Sequence, residues 1–138
     1  MKHLALPVSD QERSRRFYET YFGFNAEPAR EYDGGVVMLY NADGFSLALG
    51  PTEERIAFPS FLHFGIHLSS AEDVRELRTR LAAGGVPILE EWNEPEYVSV
   101  TWLHCFAGNA SSESTSRLSC GQECDMTNRS RFFLSSRL

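Results

Sequence analysis

The sequence predicts an α+β fold made of two successive βαβββ modules, and two observations predict it. The first is a pair of alternating, histidine-bearing stretches. Leu62-His63-Phe64-Gly65-Ile66-His67-Leu68 sets Leu62, Phe64, Ile66 and Leu68 on one side and His63, Gly65 and His67 on the other. Lys2-His3-Leu4-Ala5-Leu6-Pro7-Val8 repeats the pattern, with Leu4, Leu6 and Val8 against His3, Ala5 and Pro7. Period-two alternation marks a strand with one buried face. The second observation is the order that follows each stretch. His3 and His63 each precede a serine by six residues (Ser9 and Ser69), and each serine opens an amphipathic helical segment followed by short, turn-bounded strands. The modules are assigned to residues 1–50 and 61–115, with a linker at 51–60 and an irregular tail at 116–138.

In the first module, residues 2–8 are the opening strand. Ser9-Asp10 offers an N-cap, and Glu12, three residues after Ser9, completes a capping box. The helix runs from Gln11 to Phe22. Phe17 with Tyr21 and Tyr18 with Phe22 give it a broad aromatic face. Gly23 ends it in the left-handed conformation that glycine tolerates. Phe24 to Glu31 reads as a weak, polar strand. Asp33-Gly34-Gly35 and Asp43-Gly44 are turns, bounding strands at Val36–Tyr40 and Phe45–Leu49. Gly50 to Ser60, with two prolines and Glu53-Glu54-Arg55, has no period and reads as the linker.

In the second module, Phe61 to Leu68 is the opening strand. Ser69 or Ser70 caps a helix whose Glu72 and Asp73 suit its positive end. Val74, Leu77 and Leu81 form its buried stripe, Glu76 can pair with Arg80 on the outer side, and Gly84-Gly85 stops it. Val86–Trp92 and Tyr97–Trp102 are strands about an Asn93-Glu94-Pro95 turn. The acidic side chains of Glu90, Glu91, Glu94 and Glu96 surround that hairpin tip as solvated groups.

The bulk composition excludes several function classes. A 138-residue chain that is 42% hydrophobic is long enough for one cored domain. Its net charge of −6 leaves no basic stripe for phosphates, so nucleic acid is not an expected partner. No run approaches a membrane span and no apolar signal core opens the sequence, so a cytoplasmic location without membrane contact is expected. Cys105, Cys120 and Cys124 are an odd set confined to the C-terminal part, which argues against a disulfide framework. Cys120 and Cys124 have no second ligand pair to complete a zinc site.

After Leu103 the character changes. Serine becomes frequent, every cysteine appears, and no amphipathic period persists; Phe132-Phe133-Leu134 is the one compact apolar run. A last strand belongs near 106–115, yet Ala107-Gly108-Asn109-Ala110-Ser111-Ser112 is poor strand material. The tail is therefore expected to be weakly ordered or irregularly packed, and to come from a shifted reading frame or foreign sequence in place of the native last strand.

Two segments carry a family resemblance. His3-Leu4-Ala5-Leu6-Pro7-Val8-Ser9-Asp10, with Phe17-Tyr18 and Phe22-Gly23-Phe24, is one; Leu62-His63-Phe64-Gly65-Ile66 with its following helix is the other. Over roughly residues 1–103 the chain resembles the vicinal oxygen chelate superfamily of glyoxalases, bleomycin-resistance proteins and extradiol dioxygenases. That resemblance implies a cupped mixed sheet with helices on its outer face and a last strand missing or altered here. It implies a divalent metal ion (Fe, Mn, Ni, Zn or Mg) held by one ligand from each opening strand and a glutamate from the last. His3 and His63 fall on the first two positions. Phe106 to Glu113 keeps a glycine but sets Glu113 one residue late, which turns it to the other face of a regular strand. Two imidazoles and a carboxylate would leave open positions for substrate oxygens. His67 shares the facing of His63 and is the candidate proton-transfer group.

The sequence leaves two functions open, beside a reading in which a broken or partly foreign chain keeps the fold without activity. One is a metal-dependent enzyme acting on a small oxygen-bearing substrate. The other is a metal-free protein of the bleomycin-resistance kind that sequesters a bulky ligand, cationic in keeping with the acidic balance. A homodimer is expected by resemblance. Met38, Tyr40, Leu47, Leu49, Tyr97, Ser99 and Thr101 alternate along strands, so some line the cup, with the inward parity open. Trp92 and Trp102 are candidates to stack a planar ligand.

Overall fold

The computed structural model describes the backbone of residues 2–54, 63–94, 97–105 and 129–137, and the side chains of 2–54, 64–91, 99–100 and 135. The chain divides into two compact units, Met1–Arg55 and Ile56–Leu138.

In the first unit, β1 (His3–Val8) leads into α1 (Gln11–Phe22), and β2 (Arg30–Tyr32), β3 (Val36–Tyr40) and β4 (Ser46–Pro51) follow. They form one mixed sheet in the order β1-β4-β3-β2, with β1 parallel to β4 and the other pairs antiparallel. Alternation decides the faces. Leu6, Val8, Leu39, Leu47 and Leu49 are buried, together with Tyr18 of α1, and α1 packs on β4. His3 and Ala5 stay exposed on the other face.

Local rules explain the joints. The N-cap of α1 is Asp10, whose Oδ1 accepts from the Arg13 backbone N–H at 2.9 Å. The capping box expected at Ser9 and Glu12 is thus shifted by one residue. Glu12 instead accepts from Arg16 at 2.8 Å, one turn along. A carboxylate at the cap also meets the positive end of the helix dipole, which a serine hydroxyl does not. Gly23 closes the helix at φ 66°. Gly34 and Gly35 both take positive φ in the β2–β3 turn, a pairing open to glycine and strained for other residues. The strand expected over 24–31 shrinks to Arg30–Tyr32, because Phe24 folds inward against Tyr18 and Phe45, with ring centroids 5.9 and 6.0 Å apart.

The second unit repeats the order: β5 (His63–His67), α2 (Ala71–Ala83), β6 (Ile88–Glu94), β7 (Tyr97–Cys105) and β8 (Arg129–Arg137). Its sheet runs β5-β8-β7-β6, the same arrangement as in the first unit. Ser70 caps α2 through the Asp73 N–H, and Val74, Leu77 and Leu81 are buried as expected. Of the acidic hairpin residues, Glu91 is not merely solvated: Arg78 of α2 donates to it at 2.6 and 2.8 Å.

β8 corrects the reading of the tail. The segment expected to be irregular carries a nine-residue strand, parallel to β5 and antiparallel to β7. Local pattern missed it because its apolar residues are consecutive rather than alternating. The slot between β5 and β7 offers two rows of backbone groups, and satisfying both outweighs weak strand propensity. Glu113, Cys120 and Cys124 lie outside the described residues.

Candidate functional site

Each unit has a sheet face opposite its helix; His3 stands on that face in the first unit, and His63 opens β5 in the second. In the first unit, register carries the row from His3 on β1 to Ser46 on β4 and Tyr40 on β3. The next row is Ala5, Ala48, Met38 and Arg30. The inward parity left open by the sequence is therefore Met38 and Tyr40, whereas Leu47 and Leu49 pack toward α1.

His3 is exposed, and its Nδ1 lies 2.8 Å from the Ser46 hydroxyl. That contact anchors the ring by one nitrogen and leaves Nε2 as the nitrogen available to a ligand. Farther along the same face, Tyr32 and Tyr40 bring their hydroxyls to 3.4 Å. The Arg30 guanidinium lies 5.3 Å from the Tyr40 ring centroid and donates to Glu27 at 2.8 Å. The hydrogen bond from Tyr40 and the neighbouring Arg30 hold the Tyr32 phenol below its ordinary range. The same bond to Tyr32, with some burial, pushes Tyr40 up. Arg30, Tyr32 and Ser46 were not singled out from sequence. Their strands are short and irregular, so only the pairing of β2 with β3 and of β1 with β4 aligns them with His3.

In the second unit, Arg78 of α2 reaches Glu91, which pairs in register with buried Val100, then Leu134 and Ile66. That row is the α2 side. His67, Ser135 and Ser99 share the opposite parity. His67 is exposed. Ser99 is buried, and its hydroxyl has no hydrogen-bond partner among the described residues. A buried, unpaired hydroxyl is costly unless a ligand or water meets it. His63 opens β5, and Arg131 stands opposite it in register.

Of the three expected ligands only the His3 side chain lies within the described residues; the His63 side chain and Glu113 lie outside them. β8 reads Arg-Ser-Arg-Phe-Phe-Leu-Ser-Ser-Arg and holds no carboxylate. Opposite His3 the sheet places Ser46, and opposite His63 it places Arg131. Among the described residues no three His, Cys, Asp or Glu side chains gather in one place. The side chains of Trp92, Tyr97, Thr101, Trp102 and His104 lie outside the described residues. Among the described residues, no helix is long and apolar enough to cross a membrane.

Comparison with known proteins bears on what these faces do. The family model for the Glyoxalase/Bleomycin resistance protein/Dioxygenase superfamily matches residues 1–99. A trivalent organoarsenical cleaving enzyme from a Bacillus species is 33% identical over 92 residues, covering 67% of this chain and 54% of that enzyme. The chain thus spans about half of that relative. The fosfomycin resistance protein FosX of Listeria monocytogenes, crystallised with Mn(II) and sulfate, superposes with a TM-score of 0.66 at 18% identity, covering 100% of this chain and 90% of that one. TnmS3, an antibiotic binding protein from a Streptomyces species, gives 0.63 at 18% identity, covering 100% and 95%. At such identities the likeness to both structures is one of fold.

Proposed function

The chain belongs to the Glyoxalase/Bleomycin resistance protein/Dioxygenase superfamily, and from that premise we propose that it captures a small oxygen-bearing molecule on the sheet faces opposite its helices, without a three-ligand metal centre. His3 and His63 are the contact residues of this reading. The observation that carries it is β8, the last strand of the second sheet: it contains no carboxylate, and Arg131 is the residue paired with His63 in register. The buried Ser99 hydroxyl, without a hydrogen-bond partner among the described residues, supports it further, since a ligand oxygen or amine would satisfy it. TnmS3 is a fold neighbour that binds an antibiotic.

The test is a ligand panel on chelator-treated protein, read by histidine NMR. Binding that shifts the rings of His3 and His63 together, with no metal added, supports capture. Binding that appears only after a divalent ion is supplied refutes it.

A second reading rests on His3. Its Nδ1 contact with Ser46 leaves Nε2 free, as a metal-binding imidazole requires. In that reading His3, His63 and Glu113 hold a divalent ion that polarises a substrate oxygen, and His67 moves the proton. Calorimetric titration with Mn(II) separates the two: tight one-to-one binding lost in His63→Ala favours the enzyme. A homodimer belongs to either reading, because β2 and β6 end their sheets and outer strands attract partners. Sedimentation velocity tests it.

A further inference from the structure

We propose that the open face of the first unit recognises the anionic end of the ligand, a carboxylate or a phosphonate, through Arg30, Tyr32 and Tyr40. This rests on the capture reading and names its ligand class. It replaces the expectation of a cationic ligand drawn from overall charge.

Three observations converge. The first is geometry. Arg30 lies over the Tyr40 ring, and the Tyr32 and Tyr40 hydroxyls are 3.4 Å apart. A guanidinium and two phenols form a donor group suited to a compact oxyanion. The second is charge segregation. The chain carries 19 acidic residues against 13 basic, yet none of the acidic residues occupies the two rows that run across this face. Those rows hold His3, Ser46 and Tyr40, and Ala5, Ala48, Met38 and Arg30. The third is Glu27. Its carboxylate already sits on Arg30 at 2.8 Å, so the guanidinium accepts a carboxylate in this position. Both partners of that pair are more than half exposed, at 58% and 51%. Such pairs are weakly held, and a ligand anion can displace this one.

The spacing also fits. Tyr40 is two strands from His3, about 10 Å at the usual interstrand distance. Ser46 stands between them, and in the adjoining row Ala5 and Ala48 carry only methyl groups. Arg30 lies one strand farther, on β2, but its guanidinium sits over the Tyr40 ring, so a ligand with its acid group beside that pair can lie over these alanines toward the His3 ring. No second charged group is needed at the histidine end, so the expected ligand is a small acid with a neutral oxygen-bearing end.

The experiment is calorimetry on the full, chelator-treated chain with phenylphosphonate, benzoate and the neutral diethyl ester of phenylphosphonate. Both anions are expected to bind, with the ester about tenfold weaker or worse. Arg30→Met should weaken both anions about tenfold, in keeping with loss of a charge-assisted bond. Glu27→Gln should tighten them about threefold by freeing the guanidinium. These residues are exposed, and circular dichroism checks that each variant folds. The opposite sign expected for Glu27→Gln cannot arise from damage to the fold. Preference for phosphonate over benzoate, or the reverse, tells which acid is the natural group. Equal binding of ester and anion, or unchanged affinity in Arg30→Met, overturns the proposal and leaves the capture reading standing. Failure of all three probes overturns the anionic assignment, and capture is then judged by the broader panel.

Discussion

Replacing Leu49 and Ser46 by alanine, one at a time, tests the face assignment on which the site depends. Both residues lie on β4, three apart, so they point to opposite sides. Leu49 is 0% exposed and pairs in register with Leu6 and Val37 on the α1 side. Its carbonyl also accepts from the Gln11 side chain at 2.8 Å, a bond that alanine keeps because it is made by the backbone. The loss is therefore that of buried side-chain volume, about 2–5 kcal/mol for leucine to alanine in a closed core. Ser46 loses its bond to an exposed imidazole and a longer one, 3.4 Å, that it donates to the Lys2 carbonyl, together worth about 0.5–1 kcal/mol at this exposed position. In urea, at about 1–3 kcal/mol per M, Leu49→Ala should lower the midpoint of the first unit's transition by about 1–3 M, whereas Ser46→Ala moves it by less than about half as much. Circular dichroism with tyrosine fluorescence follows the transition. Equal costs for the two substitutions would mean that β4 does not separate a core face from an open face, and the site would lose its frame.

Three further outcomes follow from named contacts. Asp10→Ala should cost about 1 kcal/mol, because Asp10 is the group that caps α1; urea denaturation of the variant beside the parent decides it. In an ultraviolet titration, the Tyr32–Tyr40 pair should lose its first proton below the ordinary tyrosine range and its second above it. The phenolate formed first accepts from the remaining hydroxyl, so Tyr40→Phe should move the early step upward, and a titration identical to the parent's would contradict the 3.4 Å contact. Stripping divalent ions with a chelator should leave ligand affinity unchanged under the capture reading, and equilibrium dialysis before and after treatment measures this.

Much of the fold was legible in the sequence because it follows from local rules. The strands at His3–Val8 and His63–His67 announce themselves by alternation, α2 by the Val74–Leu77–Leu81 stripe, and the β2–β3 turn by adjacent glycines. The functional face was legible only in part. His3 was found because it interrupts an apolar strand. Arg30, Tyr32 and Ser46 were not, because each is unremarkable in its own segment.

By itself, the sequence determined the apolar side of the two opening strands, where both helices begin and end, and that one module order is repeated. Those properties depend on neighbours a few residues apart, where side-chain period and capping chemistry act directly. Tertiary structure alone decided that Arg129–Arg137 fills the slot between β5 and β7, that Arg131 rather than a carboxylate lies opposite His63, and that Arg30 and the two tyrosines share a face with His3. Strand pairing is settled by whichever segment satisfies the exposed backbone groups on both sides of a gap, and that competition between distant parts of the chain leaves no mark in local pattern.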